Sequence, residues 1–337
     1  MSDQQTSQRT LTDEELFRRR KKSLLTRRAV RLAPAVACAA LGLAYILAAA
    51  LNGYDILIGM QGVVSDACLV ALVATGATFI FSSGSFDLSL GSNMLISAIV
   101  GGLVCKQTEN LFAAVAVCIA VAVSLSVLNS VLASFFNLPV FIMTIVMMNV
   151  YSSVATLMIT LFGTNAKISV PMRLVRDLNT TSFRIILLAV FEIFCCFLFY
   201  FTKLGRKERF LGGNPVCARL SGIGAKKLTV LSFALAGIGI GLAAFAMIVE
   251  TPTISSSSGS AGGMNMLIAL VFGMDMNGGP ESKMYSALLG AFSMAFLDSF
   301  MNIYVTGSWY LQIVKGILFV TVVALFSIGN RSRILRR

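Results

Sequence analysis

The residues able to do chemistry are few in this chain. Its 337 residues include no histidine, which removes imidazole acid–base catalysis, histidine proton relays and histidine metal ligation. The seven cysteines form no C-x-x-C pair. Most sit in apolar stretches, where a free thiol behaves as a small hydrophobe. No G-x-x-x-x-G-K-S/T segment is present, so the chain has no P-loop of its own for ATP. The expectation is a protein that is not an enzyme, with no metal site and no bound cofactor. What remains is two polar segments and a few ionisable residues set in apolar surroundings.

The first polar segment runs from Lys203 to Lys227 and carries seven Lys/Arg against one acid, Glu208. Gly212-Gly213-Asn214-Pro215 in its middle forbids a continuous helix, and Val216–Ile223 fits one short helix with a glycine stop at Gly222. The second is Ser82–Ser92, where Asp87 is placed to cap a following helix and the glycines allow a break. The ionisable residues inside apolar stretches are Asp66, Glu192, Asp298 and Lys315. Each costs about 2.5–3.5 kcal/mol at mid-bilayer on insertion scales, so each must face protein or water, unless it snorkels as Lys315 can. Asp298 suits either a lining position on a transport path or a helix–helix hydrogen bond. Asn93, Asn129, Asn265 and Asn302 offer further polar groups along such a path, as does Asp87.

These residues must be positioned by membrane-spanning helices. Hydrophobic residues are 57% of the chain and charged ones 12%, against about a quarter charged in soluble domains. Spans are expected near 30–51, 56–81, 88–105, 111–136, 139–162, 183–202, 228–250, 261–277, 284–305 and 309–328, which is about ten. The fold class is therefore all-α: a polytopic membrane protein with one transmembrane domain over 30–330, a basic N-terminal tail over 1–29 and a basic C-terminus over 331–337. Thr12-Asp13-Glu14-Glu15 reads as a capping box opening a basic membrane-surface helix in that tail. Of 27 Lys/Arg, 20 fall in residues 1–31, 203–227 and 331–337. Positive charge beside spans marks the cytoplasmic side, so both termini and the 203–227 loop are expected there. Topology also explains the net charge of +12 without nucleic acid, and leaves anionic lipid headgroups as its surface partner.

An internal repeat is visible. Gly91-Ser92-Asn93-Met94-Leu95-Ile96 resembles Gly263-Met264-Asn265-Met266-Leu267-Ile268 at an offset of 172, and Leu128-Asn129-Ser130 echoes Leu297-Asp298-Ser299 at an offset of 169. A shift of 172 carries the starts of spans 2–5 close to those of spans 7–10. Five spans separate the halves, so equivalent spans run in opposite directions. Inverted repeats of this kind place a pathway at their interface and are common in transporters.

The polar segments also carry a family resemblance. Gly84-Ser85-Phe86-Asp87-Leu88-Ser89-Leu90-Gly91-Ser92 resembles the G-G-x-D-L-S-x-G-S segment of ribose-type ABC importer permeases. Asn137–Thr144 is similar to their x-x-P-x-F-I-x-T segment. Gly213–Ile223 resembles their G-x-N-P-x-A-A-R-x-S-G-I loop, and Leu288–Ala291 and Gln312–Gly316 match their closing spans. The resemblance covers roughly 55–328. It implies a permease subunit in a bacterial cytoplasmic membrane, importing a monosaccharide or similar small polar solute by alternating access. The implied partners are a cytoplasmic ABC ATPase that holds the ATP and magnesium, a second permease subunit, identical or not, and an extracytoplasmic solute-binding protein. It places Gly213, Asn214, Pro215, Ala218, Arg219, Ser221 and Gly222 on an ATPase-coupling loop, where Arg219 can pair with carboxylates of the motor. The chain departs from the pattern at Ser85, at Val216-Cys217, where an acidic residue and Ala are common, and at Pro280-Glu281, where Arg-Gly is. These departures bear on docking and favour pairing with a non-identical permease. Two other readings fit the residues: an ion-coupled secondary transporter using the buried carboxylates, and an ABC permease for a nucleoside or amino acid. A structural or receptor-type membrane subunit is the third. The solute itself is not legible.

Overall fold

In the computed structural model the described residues are 35–256 and 284–304, with short pieces within 265–270 and 313–320. The basic tail, the basic C-terminus, Pro280-Glu281 and Lys315 lie outside them, as do most of the expected spans 261–277 and 309–328. Helices occupy the other expected spans: α1 (Ala35–Leu51), α2 (Ile56–Ser82), α3 (Leu90–Thr108), α4 (Leu111–Phe135), α5 (Val140–Phe162), α7 (Thr181–Phe201), α10 (Ala225–Glu250) and α11 (Met284–Tyr304). Short helices α6 (Met172–Val175), α8 (Lys203–Gly213) and α9 (Pro215–Leu220) lie between them. Among the described residues, 6 helices are long and apolar enough to cross a membrane, so this is a mostly helical, multi-pass membrane protein.

Local signals explain the boundaries. Asp55 caps α2 by accepting from the Leu57 and Ile58 N–H groups, and Asn110 caps α4 by accepting from those of Phe112 and Ala113. Pro139 immediately precedes α5, where its fixed φ of −54° starts the helix without an N–H to satisfy. The Asp87 expectation needs correction. The cap of α3 is Ser89, which makes no side-chain capping bond. Asp87 lies two residues earlier and accepts instead from the Ser89 N–H at 2.8 Å and the Ser89 hydroxyl at 2.7 Å. The chain turns once more before the helix begins, so the carboxylate closes a local turn.

The core is α10 against α2 and α4, with α3 behind α4 and α11 against α2. Gly237 and Gly241 give α10 its close approach to α4. A Cβ at either would meet the Cα of Val123 or Ile119 at 2.6 or 2.5 Å, the close helix contact that small residues permit in membranes. Two ends of the bundle can be told apart. At the strand end, β1 (Ile168–Ser169) pairs antiparallel with β2 (Thr253–Ile254), tying the α5–α7 connection to the exit of α10. At the loop end lie α8, α9, the end of α2 and the α4–α5 turn.

Two hydrogen-bonded pairs among the described residues lie at positions separated by the expected offset of 172. Asn93 on α3 donates to Ser126 on α4 at 2.9 Å, and Asn265 donates to Asp298 on α11 at 2.7 Å. Both pairs span the same stretch of chain, and adding the repeat offset to Asn93 and Ser126 gives Asn265 and Asp298. The shift likewise carries α2 to α10 and α4 to α11, and both cross-repeat pairs, α10 with α4 and α11 with α2, are packed interfaces.

Candidate functional site

The loop between α7 and α10 folds as two helices joined at Asn214. Thr202 starts α8 by accepting from the Leu204 N–H at 3.2 Å. Gly205, Glu208 and Leu211 are buried, while Lys203, Arg206, Lys207 and Phe210 face outward, so α8 lies on the bundle as a basic amphipathic helix. Arg209 is folded back, with its guanidinium 5.2 Å from the centre of the Phe199 ring. At Asn214 the backbone turns to φ −152° and the side chain accepts from the Val216 and Cys217 N–H groups at 3.1 and 3.0 Å. Pro215 then occupies the first position of α9, where its missing N–H is harmless. At the other end Gly222 takes φ +76°. Its N–H bonds to the Arg219 carbonyl, and the Ile223 N–H reaches the Ala218 carbonyl, both at 3.0 Å, closing the helix with a Schellman motif.

Only Ala218 of α9 faces inward. It packs with Leu211 of α8 and Leu228 of α10 in a small apolar cluster. Val216 and Leu220 are 67% and 83% exposed, and Cys217, Arg219 and Ser221 are exposed beside them. The loop residues named from the sequence therefore play different parts. Asn214, Pro215 and Gly222 shape the helix, Ala218 seats it, and Arg219 and Ser221 are presented outward. Gly213 is exposed at the junction.

Gly212 touches the other polar segment. A Cβ there would overlap the Ser82 carbonyl, and Gly84, itself at φ +82°, has the Gly212 Cα within 3.6 Å of where its own Cβ would be. So the loop rests on the break between α2 and α3. Lys226 holds the far side, donating to the Ser134 carbonyl at 3.3 Å and the Asn137 side chain at 3.4 Å at the end of α4.

Sequence reasoning passes over Glu208, the lone acid of the loop. It is fully buried, with Oε1 2.8 Å from the Ser232 hydroxyl of α10. Burial pushes its carboxyl up to about 8, against the opposing pull of the Ser232 hydrogen bond. Its other oxygen and the buried Ser82 hydroxyl have no hydrogen-bond partner among the described residues.

The residues named as path candidates fall in different places. Asp87, Asn93 and Asn129 are fully buried. Tyr151 on α5 donates to Asn129 at 2.8 Å, Asn129 donates to Ser89 at 2.7 Å, and Ser89 donates to Asp87. This chain of bonds ties α3, α4 and α5 together at their loop ends and middles. Asn265 and Asp298 bond to each other, and Asn302 is exposed near the strand end of α11. Glu192 accepts from Thr75 at 2.7 Å and so joins α7 to α2. Asp66 is exposed on α2.

Such a bundle, with polar breaks at one end and hydrogen-bonded polar groups between its spans, is that of a multi-pass membrane protein. The chain belongs to the family described as branched-chain amino acid transport system / permease component, whose model matches residues 59–323. Over 257 residues it is 27% identical to the ribose import permease protein RbsC of Escherichia coli (strain K12), covering 74% of this chain and 79% of that one. The ribose import permease protein RbsC of Bacillus subtilis (strain 168) is 26% identical over 273 residues, 75% of this chain and 80% of the relative. The xylose transport system permease protein XylH of Haemophilus influenzae is 29% identical over 143 residues, which is 42% of this chain and 38% of that one. No solved structure gives a significant match.

Proposed function

We propose that this chain is the transmembrane subunit of an ATP-driven importer for a monosaccharide or similar small polar solute. It sits in a bacterial cytoplasmic membrane with both termini and the 203–227 loop in the cytoplasm. The observation that carries the reading is α9: a capped helix, seated by one buried alanine, that presents Val216, Leu220 and Arg219 to solvent. Exposed apolar side chains around an arginine suit a partner surface, and the matching segment in ribose-type permeases meets an ATPase. Gly212 against Ser82 gives movement of this helix a rigid route to the break before α3. A cytoplasmic ABC ATPase holds ATP and magnesium, a second permease chain completes the pathway, and an extracytoplasmic binding protein delivers the solute. Named relatives that import ribose and transport xylose support a sugar over an amino acid. Co-purification with a cytoplasmic ABC ATPase, followed by reconstitution with a solute-binding protein in proteoliposomes, tests the reading. ATP-dependent ribose or xylose uptake is expected, with none from the chain alone. Uptake by the isolated chain on an ion gradient would overturn it.

A further inference from the structure

One exposed helix face of α5 is polar, unlike the exposed faces of its neighbours. Asn149, Ser152, Ser153, Thr156 and Thr160 are all exposed, and their spacing of three and four residues places them on one stripe. The rotation of α5 is fixed from the opposite side: Tyr151 donates to Asn129 of α4 at 2.8 Å, and Thr144 accepts from the Leu88 N–H at 3.3 Å. The stripe cannot turn inward without breaking both. A control lies in the same chain. On α7 the exposed residues are Ile186, Val190, Ile193, Phe194, Phe197 and their apolar neighbours, which is what a lipid face looks like. On α5 itself, Val146, Val150, Val154 and Leu157 are exposed beside the stripe, so an apolar flank and a polar flank lie side by side on one helix. The stripe runs toward the strand end, where Phe162 and Thr164 line a cavity of about 320 Å³.

The chemistry of the stripe is specific. Thr156 and Thr160 donate to the carbonyls of Ser152 and Thr156 at 2.9 Å, and Asn149 donates to that of Ile145 at 3.0 Å. Their donors are thus partly occupied within the helix, which leaves hydroxyl lone pairs and the Asn149 amide oxygen as the acceptor capacity of an exposed face. Val140–Phe162 contains no charged residue. A series of neutral, shallow acceptors suits a hydroxyl-rich uncharged solute in transit, since conduction needs sites weak enough to leave. A zwitterionic amino acid finds no counter-charge on it.

We propose that the Asn149–Thr160 face of α5 lines the aqueous path, handing along a neutral polyhydroxylated solute, with a second permease chain closing the far side. This rests on the permease reading. The test places single cysteines at 149, 153, 156 and 160, and at 146, 150 and 154 as controls, in the full transporter in membranes. Each is treated from outside with a charged, membrane-impermeant methanethiosulfonate, and the reactivity of the parent chain is subtracted. Reaction at least ~10-fold faster on the polar positions than on the controls is expected. Equal, slow reaction on both faces would overturn the proposal. So would spontaneous disulfide crosslinking of two copies through the polar positions without reagent access, which marks a dry interface. The pattern does not depend on the motor: if the importer is not ATP-driven, the stripe still labels but ATP leaves the rates unchanged. A further variant, Asn149→Leu with Thr156→Val, is expected to lower uptake at least ~10-fold with ATPase co-purification unchanged.

Discussion

Gly212 of α8 lies directly against the main chain of Ser82, the last residue of α2, with no room between them for a methyl group. Two segments far apart in sequence, the basic loop and the break before α3, therefore form one contact of backbone on backbone. Gly212→Ala must push α8 away, and overpacking of this sort costs about 1–3 kcal/mol. The expected result is a lower melting temperature and uptake reduced more than ATPase binding, because α9 keeps its own caps. Melting and uptake of the reconstituted transporter check this; unchanged values for both would mean that the contact does not transmit.

Arg219 is exposed on α9 while its neighbour Ala218 is the buried anchor, so its charge can be reversed without disturbing the seat. Arg219→Glu is expected to weaken ATPase association by about tenfold or more, the scale of one lost charge-assisted contact. Membrane insertion and melting of the isolated chain stay as they were. Co-purification yield at rising salt measures it.

Glu208 predicts a pH dependence of stability. Its carboxyl is pushed up to about 8 in the folded chain, from roughly 4.3 in an unfolded one. Between those values the folded state holds the extra proton, so stability falls as pH rises. The loss begins above the unfolded value and is complete once pH passes the folded one. Melting temperature in detergent is expected to drop from pH 6 to pH 9, and Glu208→Gln is expected to flatten that slope while keeping a bond to Ser232. An equally steep slope in the variant would assign it elsewhere.

Arg184 of α7 is 5% exposed and pairs with Glu250 of α10 at 3.4 Å, with Asn179 accepting a second bond at 3.1 Å. Removing one partner of such a pair leaves a buried charge and costs about 3–5 kcal/mol. Glu250→Ala is therefore expected to be strongly destabilising, and Arg184→Met with Glu250→Met to recover much of the loss. Comparing the two melting curves decides it.

The loop is legible in the sequence because its signals are local. An Asn before a Pro starts a helix and a Gly after an Arg-Leu-Ser run ends one, whatever surrounds them, and Asn214, Pro215 and Gly222 do so here. The spans among the described residues are legible for the same reason, since length and apolarity suffice. Which face of a span carries a polar residue depends on its neighbours in space, and sequence alone is silent about those. Asn93 and Asn129 read from composition as path candidates, and only the structure shows the bonds they make between α3, α4 and α5. Asn149, Ser153, Thr156 and Thr160 have the helical spacing in plain view, but hydroxyl residues are common in spans and only the anchored opposite face distinguishes this stripe. Glu208 reads as one acid in a solvated basic loop, because nothing nearby in sequence announces Ser232. Asp87 has the composition of a helix cap but sits two residues too early for one, a shift set by the extra turn before α3.

Cys217 sits in the middle of the outward face of α9, exposed beside Arg219. The surface proposed to meet the motor thus comes with its own chemical reporter. A maleimide-linked dye attached there would crowd the contact and block assembly, and a bound ATPase would shield the thiol from the dye. With the partly exposed Cys38 and Cys196 replaced by Ser, the rate of alkylation at Cys217 in intact membranes becomes a reading of how many transporters are engaged.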